Sequence, residues 1–205
     1  MTASMLDERC MARAVELALQ GRGATAPNPC VGAVLAREGV ILAEGFHTRF
    51  GAPHAEIECL NTARAQGIDP AGCDLYVTLE PCNHLGKTPH CTRAVLESRV
   101  ARVAVGARDP NPDVAGGGIE FLRRHGVTVE VGVLEQDCRE LIDEFVLWKT
   151  SPRTWNILKL AVTLDGRIAG PKGLPEPVSC EASRLAVHRL RARVQAVLVG
   201  GKTLL

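Results

Sequence analysis

Two short apolar runs set back to back, then strict alternation of strand and helix, constrain this chain most. Residues 31–36 and 40–46 flank Arg37-Glu38-Gly39 and read as a β-hairpin. From there the apolar spacing predicts a helix over 54–66, a strand over 74–79, a helix over 92–98 and a strand over 102–107. A helix over 119–125, a strand over 127–133 and a helix over 136–148 follow. A first helix over 6–20 precedes the hairpin, with Met11, Ala14, Val15, Ala18 and Leu19 at helical spacing and Gly21 and Gly23 behind it. A hairpin supplies an antiparallel pair and each strand–helix–strand crossover a parallel one, so the sheet is mixed. The fold class that follows is α/β, a sandwich with helices on both faces of that sheet.

The core must be built from small and aliphatic side chains. Of 205 residues 46% are hydrophobic but only 3% are aromatic, while 23% are charged, which excludes a disordered chain. The net charge of +1 provides no field to hold nucleic acid or an anionic membrane, so a nucleotide-like ligand needs a local site. Asp7, Glu8, Arg9, Arg13 and Glu16 break up the first twenty or so residues, so no signal peptide is read there, and no apolar run is long enough to span a bilayer. A cytoplasmic chain with eight cysteines uses them as metal ligands, reactive thiols or small core residues rather than as disulfides.

A boundary is expected at Lys-Thr-Ser-Pro-Arg, residues 149–153. Residues 1–149 read as one domain. Residues 154–205 hold a strand-like run over 155–164, a helix over 181–193 and a short strand over 196–199, too little for an independent nucleotide-binding domain. Gly201-Lys202-Thr203 is no phosphate loop, since the glycine that pattern needs five residues earlier is Ala196. Gly116-Gly117-Gly118 lacks the spacing of a dinucleotide fingerprint and reads as a turn.

The chemistry concentrates in two segments. His54-Ala55-Glu56 opens a helix, and the stretch from Pro81-Cys82 to Cys91 runs from a strand end to the next helix. One imidazole and two thiolates are the ligand set of a catalytic zinc, whose fourth position is kept for water. Glu56, close to but not on the metal, suits a proton shuttle between water, a ring nitrogen and a departing amine. Residues two apart on a helix point about 200° from each other. His54 and Glu56 therefore converge only if His54 stands at the helix entry, where Pro53 makes it plausible. Zinc deaminases carry H-x-E followed by P-C-x-x-C; here eight residues, not two, separate Cys82 from Cys91.

The longer loop, with Asn28-Pro29-Cys30-Val31-Gly32 before it, Thr-Leu-Glu-Pro-Cys-Asn-His and Gly-Lys-Thr-Pro-His-Cys within it and Asp109-Pro110-Asn111-Pro112 after it, resembles the riboflavin-biosynthesis bifunctional deaminase/reductases. The resemblance runs over 6–148. It implies a cytidine-deaminase-like three-layer fold and hydrolysis of the 2-amino group of 2,5-diamino-6-ribosylamino-4(3H)-pyrimidinone 5′-phosphate. It further implies one Zn2+ held by His54, Cys82 and Cys91, Glu56 as proton shuttle, and substrate contacts at Asn28, His47, His84, Lys87, Asp109 and Asn111. Lys87 and His84 have the charge to meet a phosphate. His90 stands where the family usually has proline; it is read as a surface loop residue. Relatives of this kind associate, so a homo-oligomer is expected, with a small-molecule substrate as the only other partner.

Beyond the boundary, Leu158-Lys159-Leu160-Ala161-Val162-Thr163-Leu164-Asp165-Gly166-Arg167 resembles the opening strand of the family's NADPH-dependent reductase domain, and Leu190-Arg191-Ala192 and Thr203 fit it too. Ala161 and Thr203 are then the cofactor-contact positions. Pro177 stands where such reductases commonly carry a tryptophan, and the rest of the reductase with its glycine-rich cofactor loop is not in this sequence, so NADPH binding and product reduction are expected only of a longer parent that carries it. Two other readings stay open: a guanine, cytosine or tRNA-adenosine deaminase, and a non-catalytic module stabilised by zinc. Cys10, Cys30, Cys59, Cys73, Cys138 and Cys180 are read as packing residues.

Overall fold

The computed structural model describes residues 3–83, 90–111, 117–168 and 178–201. The chain divides into two compact units, Met1–Thr154 and Trp155–Leu205.

In the first unit α1 (Ala3–Gly21) leads to β1 (Gly32–Arg37) and β2 (Val40–Phe46). Then come α2 (Ala55–Ala65), β3 (Asp74–Leu79), α3 (Cys91–Glu97), β4 (Arg102–Ala107), α4 (Gly118–Arg124) and β5 (Thr128–Val131). Two short helices, α5 (Glu135–Glu140) and α6 (Asp143–Thr150), close it. The strands lie in the order β2-β1-β3-β4-β5. β1 is antiparallel to both β2 and β3, while β3, β4 and β5 run parallel. The hairpin pairs Arg37 with Val40 across Glu38 and Gly39, at φ 52° and 76°. Two consecutive left-handed residues are what a tight two-residue hairpin demands, and glycine in the second position removes half the strain.

Each face of the sheet carries its own core. On one, Leu35, Leu75, Val77, Val103 and Val105 meet Ala55, Cys59 and Ala63 of α2, Val95 of α3 and Ile119 and Leu122 of α4. On the other, Val34, Ala36, Tyr76 and Ala104 meet Cys10, Met11, Ala14 and Ala18 of α1 and Cys138 of α5. The expected α/β/α layering with a mixed sheet is therefore present. Helices lie close because the facing residues are small: a Cβ on Gly45 of β2 would stand 2.2 Å from the Cys59 nitrogen of α2.

The expected helix over 136–148 is two. The Leu141 carbonyl accepts a hydrogen bond from the Cys30 thiol at 3.2 Å, and Leu141 and Ile142 are buried where the helices break. Of the six cysteines read as packing residues five are buried, but Cys180 is exposed.

In the second unit the described residues form one helix, α7 (Glu181–Arg191), and no strand. The strands expected over 155–164 and 196–199 are irregular there, with Leu158 and Leu198 85% and 99% exposed. A strand is completed by a neighbouring strand's hydrogen bonds, whatever its side-chain pattern.

One polar cluster ties α1 to three strands. Arg102 of β4 donates to Asp7 of α1, to Asp74 of β3 at 3.0 Å and to Glu130 of β5 at 2.7 Å, and the Tyr76 hydroxyl donates to Asp7 at 2.6 Å. These bonds, with Arg102 foremost, hold the Asp7 carboxyl below its usual value against the effect of burial. A depressed carboxyl pKa contributes stability that is whole above the unfolded value, near pH 4, and is lost as pH falls through the folded one. Asp7→Asn should cost about 1–3 kcal/mol at pH 7, and urea unfolding of both proteins should show that difference shrinking below about pH 4.

Candidate active site

Three element termini deliver the site. His54 is the N-cap of α2, with extended backbone at φ −71° and ψ 163°, so its side chain leaves before the helix direction is set. Glu56 lies in the first turn and is buried. The condition for His54 and Glu56 to converge, entry of the helix at His54, is met. Cys82 stands three residues beyond the end of β3, and Cys91 is the first residue of α3. The Thr92 nitrogen donates to the Cys82 carbonyl at 3.3 Å and the Thr92 hydroxyl to Asn83 Oδ1 at 2.8 Å, fastening the Cys82 stretch to the start of α3.

The ligand atoms of His54, Cys82 and Cys91 all lie within 4.8 Å of one another, and no other such cluster occurs among the described residues. His54 Nδ1 is 3.2 Å from Cys91 Sγ and 3.5 Å from Cys82 Sγ. Tetrahedral zinc with bonds of about 2.0–2.1 Å to nitrogen and 2.3 Å to sulfur sets its nitrogen and sulfur ligands roughly 3.5 Å apart. The spacing fits, and a set of two thiols and an imidazole suits zinc rather than magnesium or calcium.

The site's electrostatics follow from burial and contact. A hydrogen bond from the Cys91 thiol, with a second from the His54 imidazole, holds the Cys82 thiol well below its usual range. Cys91 is driven the opposite way by the same bond and by burial. The Cys82 sulfur in turn raises His54. Burial, then the charge on Cys82, pushes the Glu56 carboxyl up to about 7.

Asn28 and His47 join this group. Asn28 Nδ2 donates to His47 Nε2 at 3.2 Å, and His47 Nδ1 donates to the Pro53 carbonyl at 2.9 Å. Those two bonds fix a neutral imidazole, and burial lowers its pKa accordingly. The His47 ring meets that of His54 edge-on at 5.4 Å. Asp109 and Asn111 follow the end of β4, joined by a bond from the Asn111 nitrogen to Asp109 Oδ1 at 2.9 Å.

His84 and Lys87 fall in 84–89, and Thr203 in 202–205, all outside the described residues. Ala161 is half-buried in the irregular 155–164 stretch. His90 is no free loop residue: it is the N-cap of α3, and its Nδ1 is buried without a hydrogen-bond partner among the described residues. Sequence reasoning missed Glu80, a buried carboxylate at the very end of β3. A charged residue closing an apolar strand was the available signal.

The family profile of the cytidine and deoxycytidylate deaminase zinc-binding region matches residues 4–107, and that of the RibD C-terminal domain matches 154–205. Riboflavin biosynthesis protein RibD of Aquifex aeolicus is 44% identical over 200 residues, covering 98% of this chain and 55% of that protein. The RibD of Synechocystis is 45% identical over 197 residues, covering 96% of this chain and 53% of its own length. The crystal structure of a diaminohydroxyphosphoribosylaminopyrimidine deaminase/5-amino-6-(5-phosphoribosylamino)uracil reductase from Thermotoga maritima superposes with a TM-score of 0.93 at 46% identity, over 99% of this chain and 58% of that one. The chain spans about half the length of the curated relatives it matches. It belongs to the cytidine and deoxycytidylate deaminase zinc-binding family and, within it, to the riboflavin-biosynthesis deaminase/reductase group.

Proposed function

We propose that this chain catalyses zinc-dependent hydrolytic deamination of 2,5-diamino-6-ribosylamino-4(3H)-pyrimidinone 5′-phosphate, a step of riboflavin biosynthesis that releases ammonia. The observation that carries the reading is the convergence of His54, Cys82 and Cys91 beside a buried Glu56. The family and the activity of the Thermotoga maritima relative point the same way.

His54, Cys82 and Cys91 hold the metal in this reading. Zinc so held supplies Lewis acidity that makes water nucleophilic near neutral pH. Water adds at C2, the bond from C2 to the amino nitrogen breaks, and ammonia leaves. Glu56 carries one water proton to the neighbouring ring nitrogen and the other to the departing amine. A carboxyl raised to about 7 exchanges protons readily in both directions at neutral pH. Asn28, held by His47, offers its amide oxygen to a ring or ribose donor, and Asp109 and Asn111 read the opposite polar edge. Lys87 and His84 are assigned to the phosphate by their charge.

Purified protein is expected to carry about one zinc per chain by elemental analysis, as three protein ligands with an open fourth position require. Cys82→Ala should lose that zinc, whereas Cys59→Ala, a buried thiol outside the cluster, should keep it. Equal zinc in both variants contradicts the ligand assignment.

Glu56→Gln should keep the metal and lose ammonia release by about 10²–10⁴-fold. A substrate panel of the phosphorylated diaminopyrimidine, cytidine and guanine separates this reading from other base deaminases. Turnover of cytidine or guanine alone overturns the substrate, and normal turnover by Glu56→Gln overturns the mechanism.

A further inference from the structure

We infer that Glu80 is a positioning residue that sets the substrate-reading edge of the site against the Cys82 stretch, a role that rests on the deaminase reading above. Glu80 directly follows β3, and its nitrogen donates to the Ala107 carbonyl at 2.9 Å, continuing the pairing with β4. Its side chain is buried and reaches backbone amides. Glu80 Oε1 accepts from the nitrogens of Gly117, Gly118 and Ile119 at 3.4, 3.2 and 3.1 Å. Glu80 Oε2 accepts from the Asp109 nitrogen at 3.3 Å.

One carboxylate thus holds both ends of the connection between β4 and α4. A buried carboxylate has to be compensated by donors, and a cluster of backbone N–H groups does so without a countercharge. A second contact reinforces the clamp. A Cβ on Gly118 would stand 1.9 Å from the Pro81 carbonyl oxygen, so the first residue of α4 abuts the residue before Cys82. Asp109 and Asn111, bonded to each other, are therefore referenced to the same short stretch that presents Cys82. On the deaminase reading, substrate contacts and metal ligands thus share one base.

The two oxygens make separable attachments. In Glu80→Gln the amide oxygen still serves the nitrogens of Gly117, Gly118 and Ile119, but an NH2 group faces the Asp109 N–H, donor against donor. The variant loosens Asp109 and leaves the start of α4 in place.

The test uses the full chain with the phosphorylated diaminopyrimidine. Glu80→Gln is expected to keep about one zinc per chain, and its cobalt-substituted form to keep the wild-type visible spectrum. KM should rise about tenfold with kcat changed less than about threefold, because ground-state and transition-state binding are lost together. Asp109→Ala should raise KM by itself, and adding Glu80→Gln to it should do no further harm, since the two act through one group. Unchanged KM, independent multiplication of the two effects, or an altered cobalt spectrum each overturns the inference. If Glu80→Gln does not fold, hydrogen exchange on the wild type decides: the Asp109, Gly118 and Ile119 amides should be protected, and random-coil exchange there removes the clamp. A wild type that fails to turn over this substrate sinks the substrate reading instead, while the exchange protection still decides on the clamp.

Discussion

Burial of β3 on both faces and along both edges is the constraint on which the first unit depends. Leu75 and Val77 lie in one core and Tyr76 and Leu79 in the other, while β1 and β4 take up its backbone groups. Such a strand has no freedom to slip register, because a shift by one residue would exchange its two apolar faces. Its end is therefore a fixed point, and the chemistry begins there. Glu80 follows immediately, and Cys82 two residues later. The two helices that complete the triad arrive with their first residues, so His54 and Cys91 are fixed by helix packing rather than by loop conformation. A metal site assembled from termini of packed elements needs little ordering when the ion binds.

The scarcity of aromatic side chains is part of the same design. A core of Ala, Val, Cys and Leu lets α1 and α2 lie against the sheet at distances that larger residues would forbid, as at Gly45 beneath α2. That approach presses the first turn of α2, with Glu56, into the protein. Charge pairing adds to that packing, with the Arg102 cluster linking α1, β3, β4 and β5.

Periodicity in the chain foretold what is local. The bounds of β3 and β4 are those the apolar pattern predicts, and α2 and α3 begin within a residue of expectation. His54, Cys82, Cys91 and Glu56 were legible because each sits at an element end in a recognisable phrase. What escaped depends on partners distant in sequence. The break before Asp143 turns on Cys30, more than a hundred residues away. Glu80 is occupied with amides of residues 109 and 117–119. The run over 155–164 has the side chains of a strand, but strand formation depends on a neighbour's backbone, which side-chain alternation does not report.

Packing, rather than any special residue type, is what raises the Glu56 carboxyl. An exposed glutamate has a pKa near 4 and would hold a proton too weakly to return it at neutral pH. The α2 helix starts at His54 and leans on β2, so its second residue points inward, and burial is the first cause of the upward displacement of Glu56. The negative sulfur of Cys82 adds to it. On the deaminase reading, the thiol offered to the metal thus also pushes the proposed shuttle toward neutrality, and zinc held there would draw it back down by neutralising thiolate charge. Proton affinity at Glu56 and the charge state of the His54, Cys82 and Cys91 cluster are consequently linked by one geometry.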